Sequence, residues 1–485
     1  KGELDLKLDD ILTPQKANVV EEPIVQGAEA EADFDPYART FTPTPSSFDR
    51  TVEPEFGPAV SISSPDIWTA ALENGLTIRG IENAETPLVS FALYLPAGRN
   101  RGDINKPAVA RLTAEMMEKG TLNKTTAELE DAIKGLGSTI SFSNGPTATT
   151  IRGSSLARNF DATLALAGEM LLEPRWDAGE FELLLSKTRD EIDSAAGNPN
   201  YVSRREWAKL IYPADHIFSM TSTGPKAKLD AVTLDDLKAF HAKYYAPNGA
   251  YMSIAGDISG ADAKAAMQNL SENWTAKAPP LAALPLPEKP KASEPYFYNV
   301  ADAKQTVLRF GAPTIAPTHP DYAAADAMNY LLGNIYTSRL MTELRVNKGY
   351  TYGIRSGFYG QADRGEFTVR SSVRANVTLE SALLIRDILK TYGETFTADD
   401  LEIMKSALIK GQALGSETLD AKLDMLGEIG QFGYADDYRA QNAKMIEAMT
   451  LDDIQRLTAA YLRPDQMIYL FVGDAASQLG RLDAL

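Results

Sequence analysis

Few side chains in this 485-residue sequence can do nucleophilic or metal chemistry. There is no cysteine, which removes thiol nucleophiles, thiolate metal sites and disulfides together. The three histidines, His216, His241 and His319, are 25 and 78 residues apart, and none has a partner at helical or hairpin spacing. A zinc site needs several such ligands converging on one point. His241 falls in a helix whose repeat copy carries Thr458, so it is expected to pack or to sit at the surface. The run Ser338-Arg339-Leu340-Met341-Thr342-Glu343-Leu344-Arg345-Val346-Asn347-Lys348-Gly349-Tyr350-Thr351-Tyr352 carries an arginine, Arg345, and a tyrosine, Tyr352, seven residues apart. Arg345 reads as the last turn of a helix, Gly349 as its left-handed stop and Tyr352 as the start of a strand, so both side chains can point into one cleft. There a guanidinium and a phenol could hold a carbonyl oxygen and steady an oxyanion. Taken alone, the pair reads first as a solvated helix-end cation and a sheet aromatic.

The elements that must position these residues come in two copies. Thr233-Leu234-Asp235-Asp236 recurs as Thr450-Leu451-Asp452-Asp453, an offset of 217 residues that then holds without a gap. At that offset Tyr244 meets Tyr461, Pro247 meets Pro464, and Gly256-Asp257 meets Gly473-Asp474. Each copy predicts a Thr-capped helix, a stop at Tyr-x-x-Pro and a short buried strand ending at Gly-Asp. Two homologous domains follow. We expect an extended, proline-spaced acidic arm over 1–64, a first domain over 65–277, a proline-rich linker over 278–294 and a second domain over 295–485. A hairpin is predicted around Asn74-Gly75, a buried strand over 88–95, and helices near 107–119, 126–136, 158–172, 178–196 and 201–211. Alternating segments at 138–143 and 147–154 lie among them. The second domain repeats the plan, with strands near 305–311, 350–359 and 365–373 and helices near 320–332 and 337–347. Strand pairs interleaved with helix pairs predict an α+β fold, each domain a mixed or antiparallel sheet with helices packed on one side.

Composition narrows the function classes. A formal charge of −18 argues against a nucleic-acid groove, because a phosphate backbone selects the opposite sign. No stretch approaches the roughly 20 apolar residues of a membrane helix, so no transmembrane segment is expected. The start at Lys1 rather than Met reads as a processed or excised product.

The helix running into Met116-Met117-Glu118-Lys119-Gly120-Thr121 resembles the first helix of the M16 metallopeptidases (pitrilysin, insulysin, mitochondrial processing peptidase). Active members carry His-x-x-Glu-His there, two imidazoles one turn apart for zinc and a glutamate as general base. Here the corresponding positions are Arg111, Ala114 and Glu115. The resemblance places the family's third ligand at Glu191, 76 residues beyond Glu115. That residue is retained, and it reads as a helix carboxylate able to pair with Arg111. The run from Ser338 to Tyr352 is similar to the family pattern S-R-L-x-x-x-L-R-x-x-x-G-x-x-Y. There the Arg and Tyr belong to the half without zinc and face the metal across a chamber. The family's glycine-rich stretch before this helix is reduced here to Leu332-Gly333-Asn334-Ile335-Tyr336.

The resemblance covers about 65 to 485 and implies a zinc-free partner subunit or half of an M16-type peptidase, inactive alone. It would close a clamshell with a half bearing His-x-x-Glu-His, whose zinc is the only metal expected. It would bind unfolded peptide and supply Arg345 and Tyr352 in trans. The alternative is a non-proteolytic structural subunit of a larger complex, and a third reading is a stand-alone peptide-binding protein. A periplasmic location is expected from the absent cysteines, the acidic chain and the start at Lys1.

Overall fold

A computed structural model describes residues 47–49, 52 and 64–484; the arm expected over 1–64 lies almost wholly outside the described residues. The first sheet is built from β1 (Trp68–Ala71), β2 (Thr77–Glu82), β3 (Leu88–Leu95), β4 (Thr139–Asn144), β5 (Thr149–Leu156) and β6 (Tyr251–Gly256), in the order β1-β2-β6-β3-β5-β4. The second contains β7 (Glu294–Asn299), β8 (Gln305–Thr314), β9 (Thr351–Gln361), β10 (Arg364–Arg374) and β11 (Ile468–Gly473), in the order β7-β11-β8-β10-β9. Both are mixed. β2 runs parallel to β6 and β7 parallel to β11, while the other neighbours are antiparallel. The fold is α+β.

The 217-residue offset extends beyond the motif that reveals it. Thr77 of β2 maps onto Glu294 of β7, Leu88 of β3 onto Gln305 of β8, and Tyr251 of β6 onto Ile468 of β11. Only β1, added by the hairpin at Asn74-Gly75, has no counterpart in the second sheet. Helices α1 (Val109–Met116), α2 (Thr126–Gly135), α3 (Phe160–Leu172), α4 (Ala178–Ala195), α5 (Pro199–Ile211), α6 (Leu234–Tyr244) and α7 (Gly260–Asn273) belong to the first half. The second half has α8 (Tyr322–Asn329), α9 (Thr378–Thr395), α10 (Ala398–Leu414), α11 (Leu419–Phe432), α12 (Tyr438–Ala448) and α13 (Leu451–Tyr461). In α6 and α13 the repeated Thr and the Asp three residues on, in the first turn, form reciprocal capping boxes, Thr233 with Asp236 and Thr450 with Asp453. Each satisfies two otherwise orphaned N–H groups. The strand after α6 ends at Gly256 with φ +140°, where a Cβ would lie 2.1 Å from the Leu88 carbonyl oxygen, so no side chain is tolerated.

Each half packs most of its helices against one face of its own sheet, but helices on one side do not complete the fold. α5 leaves the first half and seats Val202, Trp207 and Ile211 against Val307 of β8 and Ile468, Leu470 and Val472 of β11. Its counterpart α11 does the reverse. Met425, Leu426 and Ile429 pack beside Ile81 of β2, Gly427 and Gly430 admit the rings of Tyr94 and Tyr251, and Arg152 pairs with Asp424 at 2.7 Å. The reason lies in the central strands: β6 and β11 carry apolar or small residues on both faces and are buried almost throughout, so a helix must cover the far face as well. The exchange puts both halves in a single compact unit.

Candidate functional site

Arg345 stands on a segment whose buried side is fixed and whose outer side is open. Leu340, Met341 and Leu344 are buried in the second core. Arg339 ties the segment to the next helix layer through Asp400 at 2.8 Å and the Thr395 carbonyl at 2.7 Å. Residues 342–347 wind as a π-helix, a form that recurs at functional sites. The helix ends as its glycine predicts: Gly349 has φ +61°, its N–H donates to Arg345 O at 3.1 Å, and Tyr350 N–H donates to Leu344 O at 2.8 Å.

A bulge then turns Tyr352 outward. Thr351 pairs with Val373 and Ile354 with Ser371, so β9 carries one residue more than β10 across this interval. The Thr351 hydroxyl pins the bulge by donating to Ser372 O at 2.7 Å and accepting from Gly353 N–H at 3.0 Å. Bulges commonly re-aim a side chain in this way, and here Tyr352 is 87 % exposed. The Arg345 guanidinium lies 4.5 Å from the Tyr352 ring centre and 4.9 Å from that of Tyr336. Among the described residues it has no hydrogen-bonding or ion-pair partner. The structure therefore brings Arg345 and Tyr352 together and adds Tyr336, which the sequence reading did not single out. Stacking on two rings holds a guanidinium in place while leaving its N–H edge free for a carbonyl or carboxylate.

Arg111, Glu115 and Glu191 also meet. Arg111 projects from α1 and donates from Nε to Glu115 at 2.7 Å, and from Nη2 and Nη1 to the two oxygens of Glu191 at 2.7 and 3.2 Å. Partial burial would lower the Arg111 pKa, but the hydrogen bonds it donates to Glu191 and Glu115 overcome this and raise it. The Arg111 hydrogen bond in turn holds the Glu191 carboxyl below its ordinary range. Ala114 is buried and carries no base. These residues do not fit zinc, because a fixed guanidinium already neutralises the two carboxylates that would have to receive it. No group of three or more His, Cys, Asp or Glu side chains able to hold a metal occurs among the described residues.

The histidines are separate: His216 and His241 are built into packing, and His319 is exposed. His216 is buried, accepts the Phe218 N–H on Nδ1 at 3.0 Å, and has its pKa lowered by burial. His241 contacts the Leu171 carbonyl through Nε2 at 2.7 Å and lies edge-on to Trp176. His319 accepts the Asp321 N–H at 3.1 Å.

With this geometry in place, similarity to known proteins is informative. The family model described as "Peptidase M16 inactive domain" matches residues 231–408. The crystal structure of a peptidase M16 inactive domain from Pseudomonas fluorescens superposes with a TM-score of 0.78 at 26 % identity, over 85 % of this chain and 99 % of that one. This chain is an M16-like protein. The M16-like chain is also 21 % identical to the "non-peptidase homolog YmxG" of Helicobacter pylori, over 81 % of its own length and 90 % of the relative's. To the "uncharacterized zinc protease YmxG" of Bacillus subtilis it is 21 % identical, over 73 % and 86 %. A protease from Helicobacter pylori shares the fold at a TM-score of 0.78 and 18 % identity, over 85 % of this chain and 100 % of that one.

Proposed function

We propose that the M16-like chain is the zinc-free half of a two-part peptidase and lends Arg345 and Tyr352 to a partner half carrying His-x-x-Glu-His. The observation that supports this best is the state of Arg345: held between Tyr336 and Tyr352, open on one edge, and without an acidic partner among the described residues. A guanidinium kept for structure alone would be expected to have found one, as Arg111 and Arg339 have. In the assembled enzyme the Arg345 N–H groups and the Tyr352 hydroxyl would donate to the scissile carbonyl, strengthening as negative charge develops on its oxygen. The partner's metal centre would supply the attacking water. Zinc in this chain has no place in the proposal.

The test is assembly. Mixed with its cognate zinc-bearing chain, the protein should co-elute as a stable complex and confer peptidase activity that neither chain has alone. A complex without activity would favour the structural-subunit reading. The absence of any complex, with peptide bound by this chain alone, would favour a stand-alone binding protein.

A further inference from the structure

A cavity of about 560 Å³ opens between the two halves where α5 crosses β8, and Glu191 lies on its wall. Its volume is within the range of specific ligand sites. The chain as a whole is strongly acidic, yet Arg99, Arg204, Arg309 and Arg364 line this space, together with the rings of Trp207 and Tyr359. Arg309 is the unusual member. It interrupts the apolar run of β8, it is only 8 % exposed, and its guanidinium lies over Trp207 at 5.4 Å. Among the described residues it has neither a hydrogen-bond acceptor nor a carboxylate within salt-bridge reach, and its Nε is fully enclosed. Arg99 reaches only the carbonyls of Ile217 and Met220. Burial lowers both arginines to about 10. Arg364 is already bound by Asp363, and Glu366 on the same wall favours the Arg309 charge without pairing with it; a buried charge lacking an ion-pair partner is costly.

The cation does not stand alone on its sheet. Arg309 of β8 is directly opposite Arg370 of β10, and Arg370 is directly opposite Arg355 of β9. Residues so paired share a face, and like charges there repel. Arg355 donates to the carbonyl of Asn334 at 2.6 Å, two residues before the Tyr336 ring that holds Arg345. A row of arginines therefore leads from the cavity toward the open guanidinium.

We propose that this cavity and its arginine row bind an acidic peptide segment, with one carboxylate seated on Arg309 and further acidic side chains along Arg370 and Arg355. The planar forks of arginine suit carboxylates bidentately, and the aromatic walls accept the aliphatic stems. The inference deepens the peptide-binding reading above and rests on it only for the identity of the ligand as a peptide.

Binding can be measured on this chain alone by calorimetry, using a capped hexapeptide with three consecutive glutamates and its glutamine counterpart. The glutamate peptide should bind at least about tenfold more tightly, and Arg309→Met should abolish that preference. Because the buried arginine lacks a partner, Arg309→Met should leave the melting temperature unchanged or raise it, whereas a structural role would lower it. Arg370→Gln, at an exposed position, gives a second reading and should reduce the preference by a smaller factor. Equal binding of the two peptides, or an undiminished preference in both variants, would overturn the proposal. None of these outcomes depends on a partner chain, so failure here leaves the assembly test standing, and failure of assembly leaves this one standing.

Discussion

Arg111 and Arg345 are both guanidiniums on short helices, and their surroundings set them apart. Arg111 is consumed by Glu115 and Glu191, so its effect should be on stability. Glu191 has its pKa lowered in the fold. Its contribution is therefore present above its ordinary value of about 4.3 and is lost as the pH falls through the depressed one. Arg111→Gln should destabilise the chain by about 1 kcal/mol at pH 7, a modest figure because Glu191 is half exposed and solvent screens the pair. Melting curves should show the gap from wild type closing below about pH 4. A gap that stays constant to pH 3 would contradict this assignment.

The same cluster permits a constructive test. Arg111→His, Ala114→Glu and Glu115→His together would place two imidazoles one turn apart on α1, facing the carboxylate that Arg111 now reaches. That meets the protein-ligand requirement of a catalytic zinc site. The triple variant should bind about one zinc per chain, and adding Glu191→Gln should weaken binding by about 10- to 100-fold or more. A folded triple variant that binds no zinc would sever the correspondence of these four positions to a metal site.

At the scale of elements, the exchange of α5 and α11 governs how the molecule unfolds. Trp207 is buried in the seam between α5 and the second sheet, and its Nε1 donates to Glu366 at 2.9 Å. Trp207→Ala should cost about 3–5 kcal/mol. Because each half covers the other's sheet, denaturant unfolding should remain one transition by fluorescence and circular dichroism, and two separated transitions would refute the coupling. The strands and helices themselves were legible where the signal is local. Thr233 and Thr450 announce their helices through caps, and Gly349 announces a helix end through its φ requirement. The exchange was not legible, since nothing within α5 says which sheet its apolar face will meet. β7 went unread because Pro295 and the neighbouring linker mask a strand that pairs only with β11. The π-winding of 342–347 and the placing of Tyr336 against Arg345 likewise depend on contacts across the core. One signal was available and not used: Arg309 inside the run Val307-Leu308-Arg309-Phe310 is a charge where a buried strand should have none.

For the whole molecule, the repeat, the sheets and the exchange make an M16-like body in which Arg111 is paired with Glu115 and Glu191 while Arg345, beside Tyr336 and Tyr352, is open on one edge. None of the helices among the described residues is long and apolar enough to cross a membrane. The open pair is proposed to act on a substrate held by another chain. The most direct measurement is the turnover of a peptide by the reconstituted complex when Arg345→Ala or Tyr352→Phe replaces the wild-type chain, with complex formation followed in parallel. Both variants should form intact complexes whose kcat falls by about 10²- to 10³-fold, with the smaller loss for Tyr352→Phe because its ring still packs on Arg345. Variants that assemble and cleave like wild type would contradict that proposal.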